Sequence, residues 1–226
     1  MMNGNHPPKS KMIGSRIKES MLLIGSRALG YYIEINREPK DYDIICTYSE
    51  FEDWIKSLKP DKPDLCYPIN KGKTIVVKKE KYIFEFEIAW ENSSAADILE
   101  ISKNQTLETT TLPIGSPNIQ IAHPYTLHAL KISHRYLKNS PHFNKTMSDI
   151  NLMRKYGFGI IPQSLKDWLV KREKETYTYD HPNLDQSKSD FFDPNQGIKY
   201  IYDHDSIHEA MKHLDKPAYS YFKEDD

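Results

Sequence analysis

Gly25-Ser26, Asp41, Asp43 and Glu87, with Glu85 two residues before the last, are side chains of the kind that bind polyphosphate and divalent cations. On a strand, side chains share a face at every second residue, so Asp41 and Asp43 point one way, as do Glu85 and Glu87. Neighbouring strands run about 4.8 Å apart, close enough for carboxylates on adjacent strands to share two metal ions roughly 3.5 to 4 Å apart. Carboxylates crowded on one sheet face repel one another, and magnesium bridging them to phosphates would relieve that repulsion. Upstream, Gly25 allows the backbone to approach a triphosphate, while Ser26 offers a hydroxyl and an amide next to the start of a helix.

These residues need elements to hold them. Met21 to Ile24 is a bounded apolar run ending at Gly25, as a buried strand would end. After the mixed polar stretch 31–40, Asp41 to Cys46 reads as a second strand that begins with two acids. Ser49 to Leu58 has helical spacing at Phe51, Trp54, Ile55 and Leu58, with Ser49 as the expected N-cap. Residues 59–72 carry three prolines and read as a connection. Lys73 to Lys78 and the alternating Tyr82 to Trp90 are expected to pair as a hairpin through 79–81. A short helix near Ala95 to Ile101 and strand pieces at 109–112 and 119–122 complete this half.

At His123-Pro124 the pattern turns helical, which predicts a boundary there. The expected organisation is a disordered lead-in over 1–14, an α/β domain over 15–122 that opens on a short helix at Ser15, and a mainly helical region over 123–226. The helices of that last region are expected at Tyr125 to Lys131, Lys145 to Lys155, Ser164 to Glu175 and Ser206 to His213, with a loop over 176–197. Lys131, Arg135 and Lys138, with His134 alongside, form a basic stripe on the first of them, either a solvated face or a surface for triphosphate or polynucleotide. His204 and His208, with Asp203 and Asp205, are spaced one helical turn apart and give a lesser metal-site candidate, against the plainer reading of a helix N-terminus. Tyr31, Tyr32, Tyr177 and Tyr179 are packing residues or base-stacking ones.

Composition narrows the classes. The chain has 226 residues and a net charge of −1, so no general field draws it to nucleic acid or to a membrane surface. Two cysteines, Cys46 and Cys66, suit a reduced, cytoplasmic protein rather than a disulfide framework or a zinc site. No apolar run approaches the roughly 20 residues of a membrane span, and the first residues lack a signal-peptide core.

The sequences LLIGSRALG and KDYDIIC, followed by FEFEIAW, resemble the signature of the nucleotidyltransferase superfamily of the DNA polymerase beta type. The region around Lys145 to Leu152 is similar to the helical part of minimal and antibiotic-modifying members, sharing Asp149 of a Lys-Asp-x-x-Asp-Leu pattern. The resemblance covers roughly residues 20–155. It implies an α/β (α+β) fold with a mixed sheet and flanking helices, and a nucleotide held between the sheet and the helical half.

It further implies Asp41, Asp43 and Glu87 as ligands of two Mg2+ ions, with Glu85 as substitute for Glu87, and Glu87 as a possible base. Gly25, Ser26, Arg27, Lys131 and Arg135 would contact the nucleotide, Lys131 first among the cations. The implied activity transfers a nucleoside monophosphate from a nucleoside triphosphate, such as ATP, to a hydroxyl acceptor with release of pyrophosphate. The acceptor could be RNA, protein or a small molecule. Two departures stand out: fourteen residues separate Ser26 from Asp41, more than the family's usual spacing, and the third acid is glutamate rather than aspartate. The spacing favours an alternative, a nucleotidyltransferase-fold protein that binds nucleotide or nucleic acid without catalysis. A phosphohydrolase built on the His204, Asp205 and His208 cluster is the third reading.

Overall fold

A computed structural model describes residues 21–58, 63–69, 72–115, 117–134, 143–176, 192–193 and 197–198. In chain order the main elements are β1 (Leu22–Ile24), α1 (Gly25–Leu29), β2 (Tyr42–Cys46), α2 (Tyr48–Ser57), β3 (Leu65–Ile69), β4 (Thr74–Lys79), β5 (Tyr82–Ile88) and α3 (Ser94–Lys103). They are followed by β6 (Thr109–Thr111), β7 (Asn118–Ile121), α4 (Pro124–Ile132), α5 (Phe143–Lys155) and α6 (Gln163–Thr176). The fold is a mixed α+β one, with a seven-stranded sheet in the order β3-β4-β5-β2-β1-β7-β6. β2 lies at its centre, antiparallel to β1 and parallel to β5.

Alternation in β5 decides which side each helix covers. Phe84, Phe86 and Ile88 are buried on one face, where α2 lays Phe51 and Trp54 over them. The Trp54 ring lies 5.0 Å from that of Phe84 and 4.7 Å from that of Phe86, and Phe51 meets Phe86 edge-on at 5.2 Å. Aromatic pairs at such separations add to simple burial. Glu85 and Glu87 necessarily point to the other face. There α6 brings Arg172 to Glu87, and its Leu165, Trp168 and Leu169 join Leu127 of α4 and Met147, Ile150 and Met153 of α5 in the same continuous core as the strands.

Several local expectations change on contact with tertiary structure. The N-cap of α2 is Thr47 rather than Ser49: the Thr47 hydroxyl accepts from the Glu50 amide at 3.3 Å, and the Glu50 carboxylate accepts from the Thr47 amide at 2.8 Å. This reciprocal pair satisfies two helix-end donors, which a cap at Ser49 would leave open. The segment expected only to connect contains β3, Pro68 included, because an edge strand needs ladder donors on one side alone. The hairpin forms as anticipated, through Glu80 at φ 54°.

α4 starts at Pro124 behind His123, whose ring nitrogen accepts from the Tyr125 amide. α5 ends before Gly157, at φ +83°, and α6 matches its predicted span closely. Cys46 is buried, Cys66 is exposed, and both are free thiols. Among the described residues no helix is long and apolar enough to cross a membrane. The expected lead-in, the helix from Ser15, the helix at 206–213, Tyr177, Tyr179 and the His204/His208 cluster lie outside the described residues.

Thr47→Ala is expected to lower stability by about 1 kcal/mol, whereas Ser49→Ala should stay within roughly 0.5 kcal/mol of wild type. Urea unfolding of both variants tests the reassigned cap.

Candidate functional site

Strand register assembles the site. Ile24, the last residue of β1, pairs with Asp43 of β2, and Asp43 pairs in turn with Glu85 of β5. The Gly25 turn, Asp43 and Glu85 therefore line up across three adjacent strands, with Asp41 following from β2's alternation. Gly25 sits at φ +69°. A Cβ built there would lie 1.8 Å from the Asp43 Oδ2 atom, so any other residue would collide with the carboxylate as well as strain the backbone. The glycine is required at this point by a close approach of turn and acid.

Electrostatics sets Asp43 apart. Burial raises its pKa well above the ordinary aspartate value, and the neighbouring charges of Asp41 and Glu85 push it further the same way. Lys131 and Lys145 pull in the opposite direction without cancelling the rise. The carboxylates on this face thus repel one another at Asp43, and a cation placed among them would favour the ionised form.

Glu87 is separated from that group. Both of its oxygens are bound by Arg172 of α6, one from Nη1 and the other from Nη2 at 2.7 Å, and Arg172 Nη1 also reaches the Ser94 hydroxyl at 3.3 Å. In register Glu87 stands beside Ile45, one step along the face from Asp43. Of the two glutamates expected near the third-acid position, Glu85 stands beside Asp43 in register, while a bidentate guanidinium is bound to Glu87. The same corner ties α6 to the start of α3, since the Glu175 carboxylate accepts from the Ser94 amide and hydroxyl and the Trp168 ring nitrogen donates to the Ser94 carbonyl at 2.8 Å.

The cations expected around the phosphates divide. Arg27 reaches back to the chain entering β2, donating to the carbonyls of Asp41 and Pro39 at 2.8 Å each and covering the Tyr42 ring at 3.9 Å. It shapes the approach to Asp41. Lys131 makes an ion pair of 2.9 Å with Asp149 of α5, and Arg37 meets the same Asp149 oxygen at 2.6 Å. Arg37 Nη2 also donates to the Ser26 hydroxyl at 2.9 Å.

Burial alone would raise the Asp149 pKa, but Lys131 and Arg37 outweigh it and hold the carboxyl below its ordinary value. Arg135 and Lys138 lie outside the described residues. Arg37, Lys145 and Arg172 were absent from the sequence-based site; only the unusual length of the stretch before Asp41 hinted at the first.

Whether these residues suit magnesium rests on their chemistry. Asp41, Asp43 and Glu85 offer hard oxygen donors, and their mutual repulsion is of the kind a divalent cation relieves. They fit the ion as a donor set. Among the described residues, however, no group of three acidic, histidine or cysteine side chains is gathered closely enough to hold a metal as it stands.

Comparison with known families matches residues 21–102 to a model described as "Domain of unknown function (DUF7277)" and residues 126–226 to one described as "Domain of unknown function (DUF7275)". The stretch between the two spans holds β6 and β7. No curated protein matches the chain. Among solved structures, an antigenic nucleotidyltransferase-like protein from Paracoccidioides brasiliensis is similar over 70% of this chain and 82% of its own, at 16% identity and a TM-score of 0.38. So distant a likeness leaves function to be read from the site itself.

Linkage gives the site a signature in stability. Asp43 binds its proton more tightly when folded than an exposed aspartate does, so stability falls as pH rises from the ordinary carboxylate range, about pH 4, through the raised value. Asp149 has the opposite sign: its contribution is present at neutral pH and is lost as pH falls through its lowered value. Asp43→Asn is therefore expected to raise Tm at neutral pH and to lose that advantage on acidification towards about pH 4. Calorimetric scans across that range check it; a variant no more stable than wild type at neutral pH contradicts it.

Proposed function

We propose that this protein is a magnesium-dependent nucleotidyltransferase, which moves a nucleoside monophosphate from a nucleoside triphosphate to a hydroxyl acceptor and releases pyrophosphate. The observation that carries this reading is the row of Gly25, Asp43 and Glu85 across β1, β2 and β5, with the glycine turn pressed against the acid. A turn without a side chain beside a crowded acidic face provides for two things at once: close approach of phosphate oxygens to backbone, and neutralisation of that charge by cations.

In this scheme the Gly25-Ser26 backbone and the Ser26 hydroxyl receive the β and γ phosphates. Lys131, already facing Asp43 electrostatically, offsets their charge. Asp41, Asp43 and Glu85 would hold magnesium, which when bound acidifies the acceptor hydroxyl and offsets charge on the departing pyrophosphate. Glu87 leaves the reacting group because Arg172 holds both its oxygens, so the proton-acceptor role passes to Glu85. The pairing of Glu87 and Arg172 instead ties α6 to β5. Two free cysteines and a net charge of −1 accord with work in the cytoplasm.

A second reading, nucleotide binding without turnover, is favoured by one observation: the described acids do not converge as three ligands on one point. Pyrophosphate release with magnesium and each of ATP, CTP, GTP and UTP separates the two. The enzyme reading expects release that drops at least a hundredfold in Asp43→Asn and in Glu85→Gln. Glu87→Gln should retain most turnover at temperatures where it stays folded. Tight triphosphate binding with no release from any of the four, across RNA, protein and small-alcohol acceptors, establishes the binding reading instead.

A further inference from the structure

The stretch between α1 and β2 contributes a residue to the site that no motif points to. Arg37, from the middle of it, is almost wholly enclosed, with 8% of its side chain exposed, and its Nη2 bridges the Ser26 hydroxyl and the fully buried Asp149 carboxylate. A serine hydroxyl has one proton to give and two lone pairs to accept with. Because Arg37 donates to Ser26, it occupies a lone pair and leaves the proton directed elsewhere. Asp149 in turn fixes Arg37, and the same Asp149 oxygen fixes Lys131. One buried carboxylate on α5 therefore anchors two cations from different parts of the chain, and through one of them sets the state of the Gly-Ser turn.

We propose that Arg37 is a positioning residue that orients the Ser26 hydroxyl so that its proton is presented to an anionic oxygen, one of the terminal phosphates of the triphosphate. This rests on the nucleotidyltransferase reading and adds to it: Arg37 acts through Ser26, without touching the ligand. The unusual length between Ser26 and Asp41 then has a use, because it allows the chain to bring an arginine back over the turn and onto α5. The anchor is held electrostatically from two sides, since Lys131 and Arg37 together outweigh the burial that would otherwise raise the Asp149 pKa.

The test is a double-mutant cycle read by titration calorimetry, with inorganic tripolyphosphate and magnesium as the probe, so that neither base, acceptor nor turnover enters. Loss of a hydrogen bond to a charged group is worth about tenfold or more in affinity. Arg37→Met and Ser26→Ala are each expected to weaken binding about tenfold, and the double variant to be no weaker than either one, because both remove the same interaction. Should Arg37→Met fail to fold, Arg37→Lys replaces it, as its shorter side chain keeps a charge near Asp149 and stops short of Ser26.

Multiplying losses, about a hundredfold in the double variant, would show that Arg37 contacts the ligand independently and overturn the proposal while leaving the nucleotidyltransferase reading intact. An Arg37 variant that binds like wild type overturns it equally. If wild type does not bind tripolyphosphate at all, the functional reading itself fails and takes this inference with it.

Discussion

The close contact between the Gly25 backbone and the Asp43 carboxylate is the constraint from which the rest of the site follows. It exists because β1 runs antiparallel to β2 in the register that sets Ile24 opposite Asp43, so the chain leaving β1 must turn directly over an acid. Only a residue without a Cβ can make that turn, and only a sheet whose opposite face is sealed by Phe84, Phe86, Phe51 and Trp54 can hold the register against the repulsion it creates. The aromatic side of the sheet stabilises the register; the acidic side makes use of it. A one-residue slip of β2 would exchange those faces and bury Asp43 in the aromatic core.

Charge on the acidic side falls into two kinds. Asp149 and Glu87 are answered by arginine and lysine at hydrogen-bonding distance, and each joins a helix of the second half to the rest of the fold. Removing one partner from such a pair leaves a buried charge exposed to nothing that solvates it, which makes these contacts strong determinants of helix placement. Asp43 is different: its nearest charged neighbours along the sheet are acids, and the lysines opposite do not offset them. The fold answers Asp149 and Glu87 with cations and leaves Asp43 among acids, and a position so perturbed is a candidate for function.

Much of this was legible in the sequence, for local reasons. The apolar run before Gly25, the Asp-x-Asp strand and the strict alternation of β5 are short-range patterns, and they put Gly25, Asp43 and a glutamate of β5 on the right elements. Choosing between Glu85 and Glu87 was not possible by alternation, because both lie on the same face; the choice depends on the register with β2 and on an arginine 85 positions away in the chain. Arg37 was hidden for a similar reason. Its partners are Ser26, eleven residues back, and Asp149, 112 residues ahead, and no periodicity encodes such a meeting. Thr47 replaced Ser49 as the cap because the helix begins earlier than its apolar spacing suggests. β3 is not legible because Pro68 within it, with Pro60 and Pro63 just before, reads as a break until an edge position accommodates it.

The strain at Asp43 can be observed directly by a carbon-13 titration of the aspartate carboxyls, with the Asp43 resonance assigned from its absence in Asp43→Asn. Without divalent cations the resonance is predicted to titrate well above the ordinary aspartate value of about 3.9, and magnesium with a non-hydrolysable triphosphate should bring its midpoint down. An Asp43 carboxyl that titrates at the ordinary value, unmoved by magnesium and triphosphate, would contradict the account at its foundation.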